Sequence, residues 1–149
     1  VGDRVVELGR LGQKTGKGWY RYEAGDRTPH PDPAVSELVD KYRNEIGMTA
    51  RPITDDEIIQ RCVYALANEG ARILEEGIAM RASDIDVVYL TGYGFPAAKG
   101  GPMFYAQTVG LNKVVASMRE FARNPHADPK FWQPAKLLLD AADSGKWPR

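Results

Sequence analysis

Thr54-Asp55-Asp56-Glu57-Ile58-Ile59-Gln60-Arg61-Cys62-Val63-Tyr64-Ala65-Leu66-Ala67-Asn68-Glu69-Gly70, running on to Gly77, carries the strongest helical signal in this chain of 149 residues and decides its fold class. Thr54 with Glu57 three positions on has the spacing of a capping box, and Asp55, Asp56 and Glu57 bring three carboxylates to the positive end of the helix dipole. Ile59, Cys62, Val63, Leu66, Gly70, Ile73 and Leu74 recur at three- and four-residue steps, which reads as one apolar stripe and assigns Cys62 to core packing. Gly77 supplies a stop. A helix from Thr54 to Glu76 would be roughly 34 Å long, enough for the spine of a small domain.

Helical signals continue outward from that spine. Ser83, with Asp86 three positions on, predicts an N-cap and a short helix through Val87, Val88 and Leu90 that halts at Gly92. Pro102 fits the first turn of another helix, closed by Gly110. Leu111, Val114, Val115, Met118 and Phe121 mark a helix over 111–122, and Pro134 opens a last one through Leu137, Leu138, Leu139 and Ala142 to Gly145. On the other side, Val35, Leu38, Val39, Tyr42 and Ile46 predict a helix from Pro33 to Ile46 with Gly47 as its stop. Gly9, Gly12, Gly16 and Gly18 each cost a helix about 1 kcal/mol against Ala, so residues 1–22 are expected to be extended and turn-rich, anchored by Trp19, Tyr20 and Tyr22. Gly25, Pro29, Pro31 and Pro33 make a linker. No segment alternates with period two. The expected fold is an all-α helical bundle preceded by a turn-rich segment.

Composition narrows the function classes. Hydrophobic residues are 43% and charged residues 27%, close to globular averages. Twenty basic residues balance twenty acidic ones, so the field that draws proteins to nucleic acid or anionic membranes is missing, and neither is expected as a partner. Cys62 is the only cysteine, which excludes an internal disulfide. No apolar run reaches the roughly 20 residues of a membrane span. Asp3 and Arg4 interrupt any signal-peptide core, and Lys146-Trp147-Pro148-Arg149 is not a Ser-Lys-Leu peroxisomal address, which leaves a cytoplasmic location as the expectation.

Three motifs fail on spacing. A phosphate loop ending at Lys14-Thr15 needs glycine at 13 and at 8, where Gln13 and Leu8 stand. Lys14-Thr15-Gly16 matches a triplet of penicillin-binding enzymes, yet no Ser-x-x-Lys pair accompanies it. Gly92-x-Gly94 lacks the third glycine of a dinucleotide fingerprint, Ala97 standing there; these glycines are expected to let Tyr93, Phe95 and Phe104 pack at a helix corner. His30 and His126 lie in proline-containing loops and read as exposed. Glu69, close to the apolar stripe, reads either as a surface carboxylate or as a structural hydrogen-bond anchor.

Several stretches together resemble the C-terminal helical domain of the 3-hydroxyacyl-CoA dehydrogenases. They are Leu11-Gly12-Gln13-Lys14-Thr15-Gly16-Lys17-Gly18-Trp19-Tyr20-Arg21-Tyr22, the helix Asn68–Ile78, Asp84-Ile85-Asp86, Gly92-Tyr93-Gly94-Phe95-Pro96, Gly101-Pro102-Met103-Phe104-Tyr105 and Gly110-Leu111. In a single-copy member the first of these is the tail that closes the domain; here it leads. The resemblance therefore implies a chain that starts at the end of one copy and runs into a second, as in multifunctional fatty-acid β-oxidation enzymes. Residues 1–22 would be the tail of a first helical domain, 23–52 a linker with one short helix, and 53–149 a second, degenerate copy.

The family oxidises the 3-hydroxyl of an acyl-CoA and passes hydride to NAD on a Rossmann domain, which also supplies a catalytic His–Glu pair. The resemblance implies NAD in the full-length enzyme, with no catalytic, cofactor or metal site in this chain. Ile59-Gln60-Arg61 matches a Val-Asn-Arg segment whose Asn places the substrate carbonyl, so Gln60 marks a degenerate positioning residue. Phe95, Pro96, Pro102, Met103 and Phe104 are expected to form an interdomain surface, and Trp19, Tyr20 and Glu69 to be structural. The implied partners are the upstream Rossmann domain and first helical domain, with acyl-CoA in the full enzyme and possible self-association. Two classes stand: a non-catalytic piece that gives such a dehydrogenase structural support, intramolecular pseudo-dimerisation and a share of the acyl-CoA site, or a stand-alone helical module for protein or acyl-CoA binding. A chain that opens inside a motif, at Val1-Gly2-Asp3, favours the first.

Overall fold

The structure, a computed structural model, describes residues 1–148. Two compact units emerge, Val1–Pro52 and the chain from Ile53 onward.

The N-terminal unit opens with a helix where an extended segment is expected: α1 spans Gly2–Glu7. Gly9, Gly12, Gly16 and Gly18 all lie beyond its end, so they break the helix rather than prevent it, and Gly9 turns the chain with φ 68°. From there the turn-rich reading holds. A single 3-10 turn covers Gln13–Thr15, and isolated bridges join Gly12 to Lys17, Lys17 to Arg21, and Arg21 to His30. Trp19 and Tyr20 are about half exposed, at 50% and 47%, so neither is the buried anchor expected of it. Asp32 caps α2 (Pro33–Glu45), accepting the Ala34 N–H at 3.1 Å. The same carboxylate pairs with Arg10 at 2.5 Å, and the Arg10 Nε–H donates to the Gly18 carbonyl at 2.8 Å. One buried ion pair thus ties turn to helix.

The C-terminal unit is a helical bundle of α3 (Asp55–Glu75), α4 (Ala82–Gly92), α5 (Pro102–Val109), α6 (Leu111–Ala122) and α7 (Lys136–Ser144). Thr54 Oγ accepts the Glu57 N–H at 3.2 Å, as its capping position predicts. α3 packs on α4, α5, α6 and α7, α5 on α4 and α6, and α6 on α7. The five residues expected to face inward from α6 are all buried.

α3 buries only part of its expected stripe: Gly70 is buried and Val63, Ile73 and Leu74 pack against the core, but Ile59 and Cys62 are exposed. Its buried residues are Tyr64, Ala67, Asn68, Gly70 and Ala71. At 3.6 residues per turn, Ile59, Cys62 and Leu66 lie on the opposite side, and Cys62 is exposed rather than part of the core. Size decides this: small residues let a neighbouring helix approach. A Cβ on Gly70 would overlap the Met103 sulfur of α5.

Candidate functional site

The corner between α4 and α5 is built around a buried carboxylate. Ser83, expected as the N-cap of α4, is exposed; the helix begins at Ala82, and Asp84 Oδ2 accepts the Arg81 N–H at 3.0 Å. Asp86 is buried and serves another helix. Its Oδ1 accepts the Met103 N–H at 2.8 Å and its Oδ2 the Phe104 N–H at 3.1 Å, so it satisfies the first turn of α5 from outside. Burial pushes this carboxyl above the usual range, opposed by the two N–H donors. Gly101, at φ 98°, is needed because a Cβ there would overlap the Asp86 carboxylate. Gly92 and Gly94, by contrast, have no close neighbour, so the close approach expected of them falls on Gly101 and Gly70.

Along α3 a row of polar groups holds the loop that leads into α7. Asn68, 2% exposed, donates to the Gln133 carbonyl at 3.1 Å and accepts the Ala135 N–H at 2.8 Å. Arg72 donates to the same carbonyl, and Glu75 accepts the Leu137 N–H. The structural anchor is therefore Asn68. Its neighbour Glu69 is an exposed surface carboxylate paired with Arg72 at 3.2 Å. The signal was present in the sequence: Asn68 shares a phase with Tyr64, Ala67 and Ala71, and a polar residue within a run of small ones asks for a partner.

Gln60 is half buried in the first turns of α3. The next residue, Arg61, pairs with Glu57 at 2.8 Å, and its guanidinium lies over the Phe121 ring, 4.1 Å from the centroid. Of the five residues expected at an interdomain surface, Pro102 and Met103 are buried in the unit's own core, which corrects that part of the expectation. Phe95 is half buried with its ring edge-on to Tyr89, Pro96 is exposed, and Phe104 is 55% exposed. Ile58 and Ile59 of α3 and Val87 and Val88 of α4 add exposed aliphatic side chains.

The histidines divide. His126 is exposed, but His30 is half buried with an Nε2 that has no hydrogen-bond partner, against the expectation of an exposed loop residue. Among the described residues no group of three His, Cys, Asp or Glu side chains could hold a metal ion, and no helix is long and apolar enough to cross a membrane. The described residues form helices and turns, with no strand-to-helix turn of the kind on which a dinucleotide's phosphates rest.

A family model described as 3-hydroxyacyl-CoA dehydrogenase, C-terminal domain, matches residues 58–149. The chain is 48% identical to a peroxisomal bifunctional enzyme of Danio rerio and 47% identical to that of Homo sapiens, with 99% of the chain covered and 21% and 20% of those proteins. A peroxisomal fatty acid beta-oxidation multifunctional protein of Oryza sativa subsp. japonica is 34% identical over 94% of the chain and 19% of that protein. The solved dehydrogenase part of multifunctional enzyme 1 from C. elegans superposes with a TM-score of 0.68 at 28% identity, over 93% of this chain and 31% of that one. The chain thus spans about a fifth of the length of these curated relatives. The curated relatives are named as peroxisomal, whereas the failed signal-peptide and Ser-Lys-Leu readings leave the cytoplasm as the expectation.

Proposed function

Because the chain belongs to the 3-hydroxyacyl-CoA dehydrogenase C-terminal domain family, we propose that it is the C-terminal part of an NAD-dependent 3-hydroxyacyl-CoA dehydrogenase of peroxisomal fatty-acid β-oxidation. In this reading residues 53–149 are a second helical copy that does no chemistry and serves as a built-in partner subunit for the catalytic copy. NAD and the acyl-CoA are held by upstream parts of the polypeptide. The observation that carries the reading is the pairing of full-length similarity to two-activity enzymes with Gln60 at the substrate-positioning place, on a unit whose described residues form no strand-to-helix turn. A retained copy without chemistry needs a surface, and α3 offers one: Ile58, Ile59 and Cys62 face away from its own core. Phe104 and Pro96 add exposed apolar groups at the α4–α5 corner.

The test is deletion of residues 53–149 from the full-length enzyme, with 3-hydroxyacyl-CoA oxidation followed as NADH absorbance. Turnover should fall sharply and return when the missing unit is added in trans. The isolated chain should give no NADH binding by calorimetry. Stoichiometric micromolar binding, or full activity after deletion, would refute the reading.

A further inference from the structure

Three hydrogen-bond donors without an acceptor line one groove of the C-terminal unit. The groove, of about 290 Å³, is formed by Arg119 and Ala122 of α6 and by Pro129, Lys130, Trp132 and Gln133 of the connection to α7. Trp132 is 8% exposed, and T-shaped contacts with Phe121 and Phe131, at 5.0 and 4.9 Å between ring centroids, fix its indole. The indole N–H of Trp147 donates to the Met103 carbonyl, but that of Trp132 meets no acceptor. His30 Nε2 is the one buried side-chain atom left without a partner among the described residues, so the unpaired Trp132 N–H is open to solvent. Arg119 and Lys130 are also unpaired among the described residues. The acids nearest them in sequence are engaged, Glu120 with Arg123 at 2.8 Å and Asp128 with the Lys130 backbone N–H at 2.9 Å, and no carboxylate lines the groove.

A donor fixed by packing, beside a guanidinium and an ammonium, suits an oxyanion. Charge decides which one. A phosphomonoester carries about −1.5 to −2 at pH 7, which two cations match, whereas a carboxylate or a phosphodiester falls short. Ala122 and Pro129 supply apolar wall, which favours an ester with an organic body over free phosphate. We propose that this groove is a phosphomonoester site, additional to the acyl-CoA site that the functional reading above places upstream. That reading enters only in the choice of probe: coenzyme A carries a 3′-phosphomonoester, which dephospho-coenzyme A lacks.

Nitrogen-edited proton NMR of the 149-residue chain tests this through the Trp132 indole signal, identified by its loss in Trp132→Phe. Coenzyme A should move that signal saturably and leave the indole signals of Trp19 and Trp147 in place. Dephospho-coenzyme A should bind at least about tenfold more weakly, and Arg119→Gln combined with Lys130→Gln should weaken coenzyme A to a similar extent. Equal binding of the two coenzymes overturns the proposal, as does a Trp132 signal that coenzyme A leaves in place. Inorganic phosphate acting as well as coenzyme A also overturns it, the groove then being a cluster of surface charge only. Failure here is separable from failure of the functional reading, which the deletion of residues 53–149 addresses through NADH formation. An unmoved Trp132 signal with the expected loss of turnover removes the site alone. A saturable shift with full activity after deletion removes the functional reading alone.

Discussion

Among the described residues the N-terminal unit buries two aliphatic side chains, Val5 and Val35, beside a closed Arg10–Asp32 pair, whereas the C-terminal unit gathers eighteen buried apolar residues into one cluster. A buried aliphatic side chain contributes about 1.5–3 kcal/mol, while ordering the backbone costs about 1–2 kcal/mol per residue. Two such side chains cannot order a segment of this length, so turn geometry and the ion pair hold a larger share there. The lesson is that one unit rests on turns and a single ion pair while the other rests on an apolar cluster shared by five helices.

The sharpest way to break this contrast is to remove core volume on each side. Leu138→Ala, at a fully buried position, should lower the stability of the C-terminal unit by about 2–5 kcal/mol in urea titrations followed by Trp fluorescence. Val35→Ala should cost clearly less. Equal losses would mean that the N-terminal unit has a hydrophobic core after all.

A second test concerns neighbours on one helix. Asn68→Ala strands the Ala135 N–H and should cost about 1–3 kcal/mol, against about 0.5 kcal/mol or less for Glu69→Ala, whose partner is an exposed arginine. The reverse order would return the anchor role to Glu69.

Acid should separate the units. The Arg10 hydrogen bond, helped by the Ala34 N–H, holds the Asp32 carboxyl below its ordinary 3.8. Its contribution to stability is present above that value and is lost as pH falls through the lower, folded value. Asp86 runs oppositely: burial raises its pKa above 3.8, so its contribution favours folding below 3.8 and fades as pH rises through the folded value. Hydrogen exchange followed from about pH 5 down to about pH 3 should loosen the Gly9–Asp32 region before the α4–α5 corner, and Asp32→Asn should flatten that pH dependence. Earlier loosening at α5 would contradict both assignments.

The smallest effect belongs to Cys62. Cys62→Ser should change stability by no more than about 0.5 kcal/mol, because the thiol is exposed. A maleimide should modify it rapidly in the native 149-residue chain and slowly in the full-length enzyme if that face of α3 is covered there. A thiol inert in the native short chain would put Cys62 back in the core.

What the order of residues determined was local. Thr54 capping α3, Pro102 at the first turn of α5, Gly110 and Gly145 as stops, and the inward face of α6 all follow from interactions a few residues apart, which a periodicity and a cap express directly. The family resemblance was legible for a similar reason, since it resides in short motifs and their order. Sequence misplaced the buried face of α3, because Ile59, Cys62 and Leu66 on one side are as apolar as Tyr64, Ala67 and Ala71 on the other. Packing chose the small side, Ala67, Gly70 and Ala71, against which Met103 could seat. The same holds for Asp86, which has the spacing of a cap for its own helix and instead caps α5, and for Asn68, whose partners stand 65 and 67 residues away. Such assignments depend on which backbone N–H and carbonyl groups come within about 3 Å once helices pack, and that distance exists only in the tertiary structure.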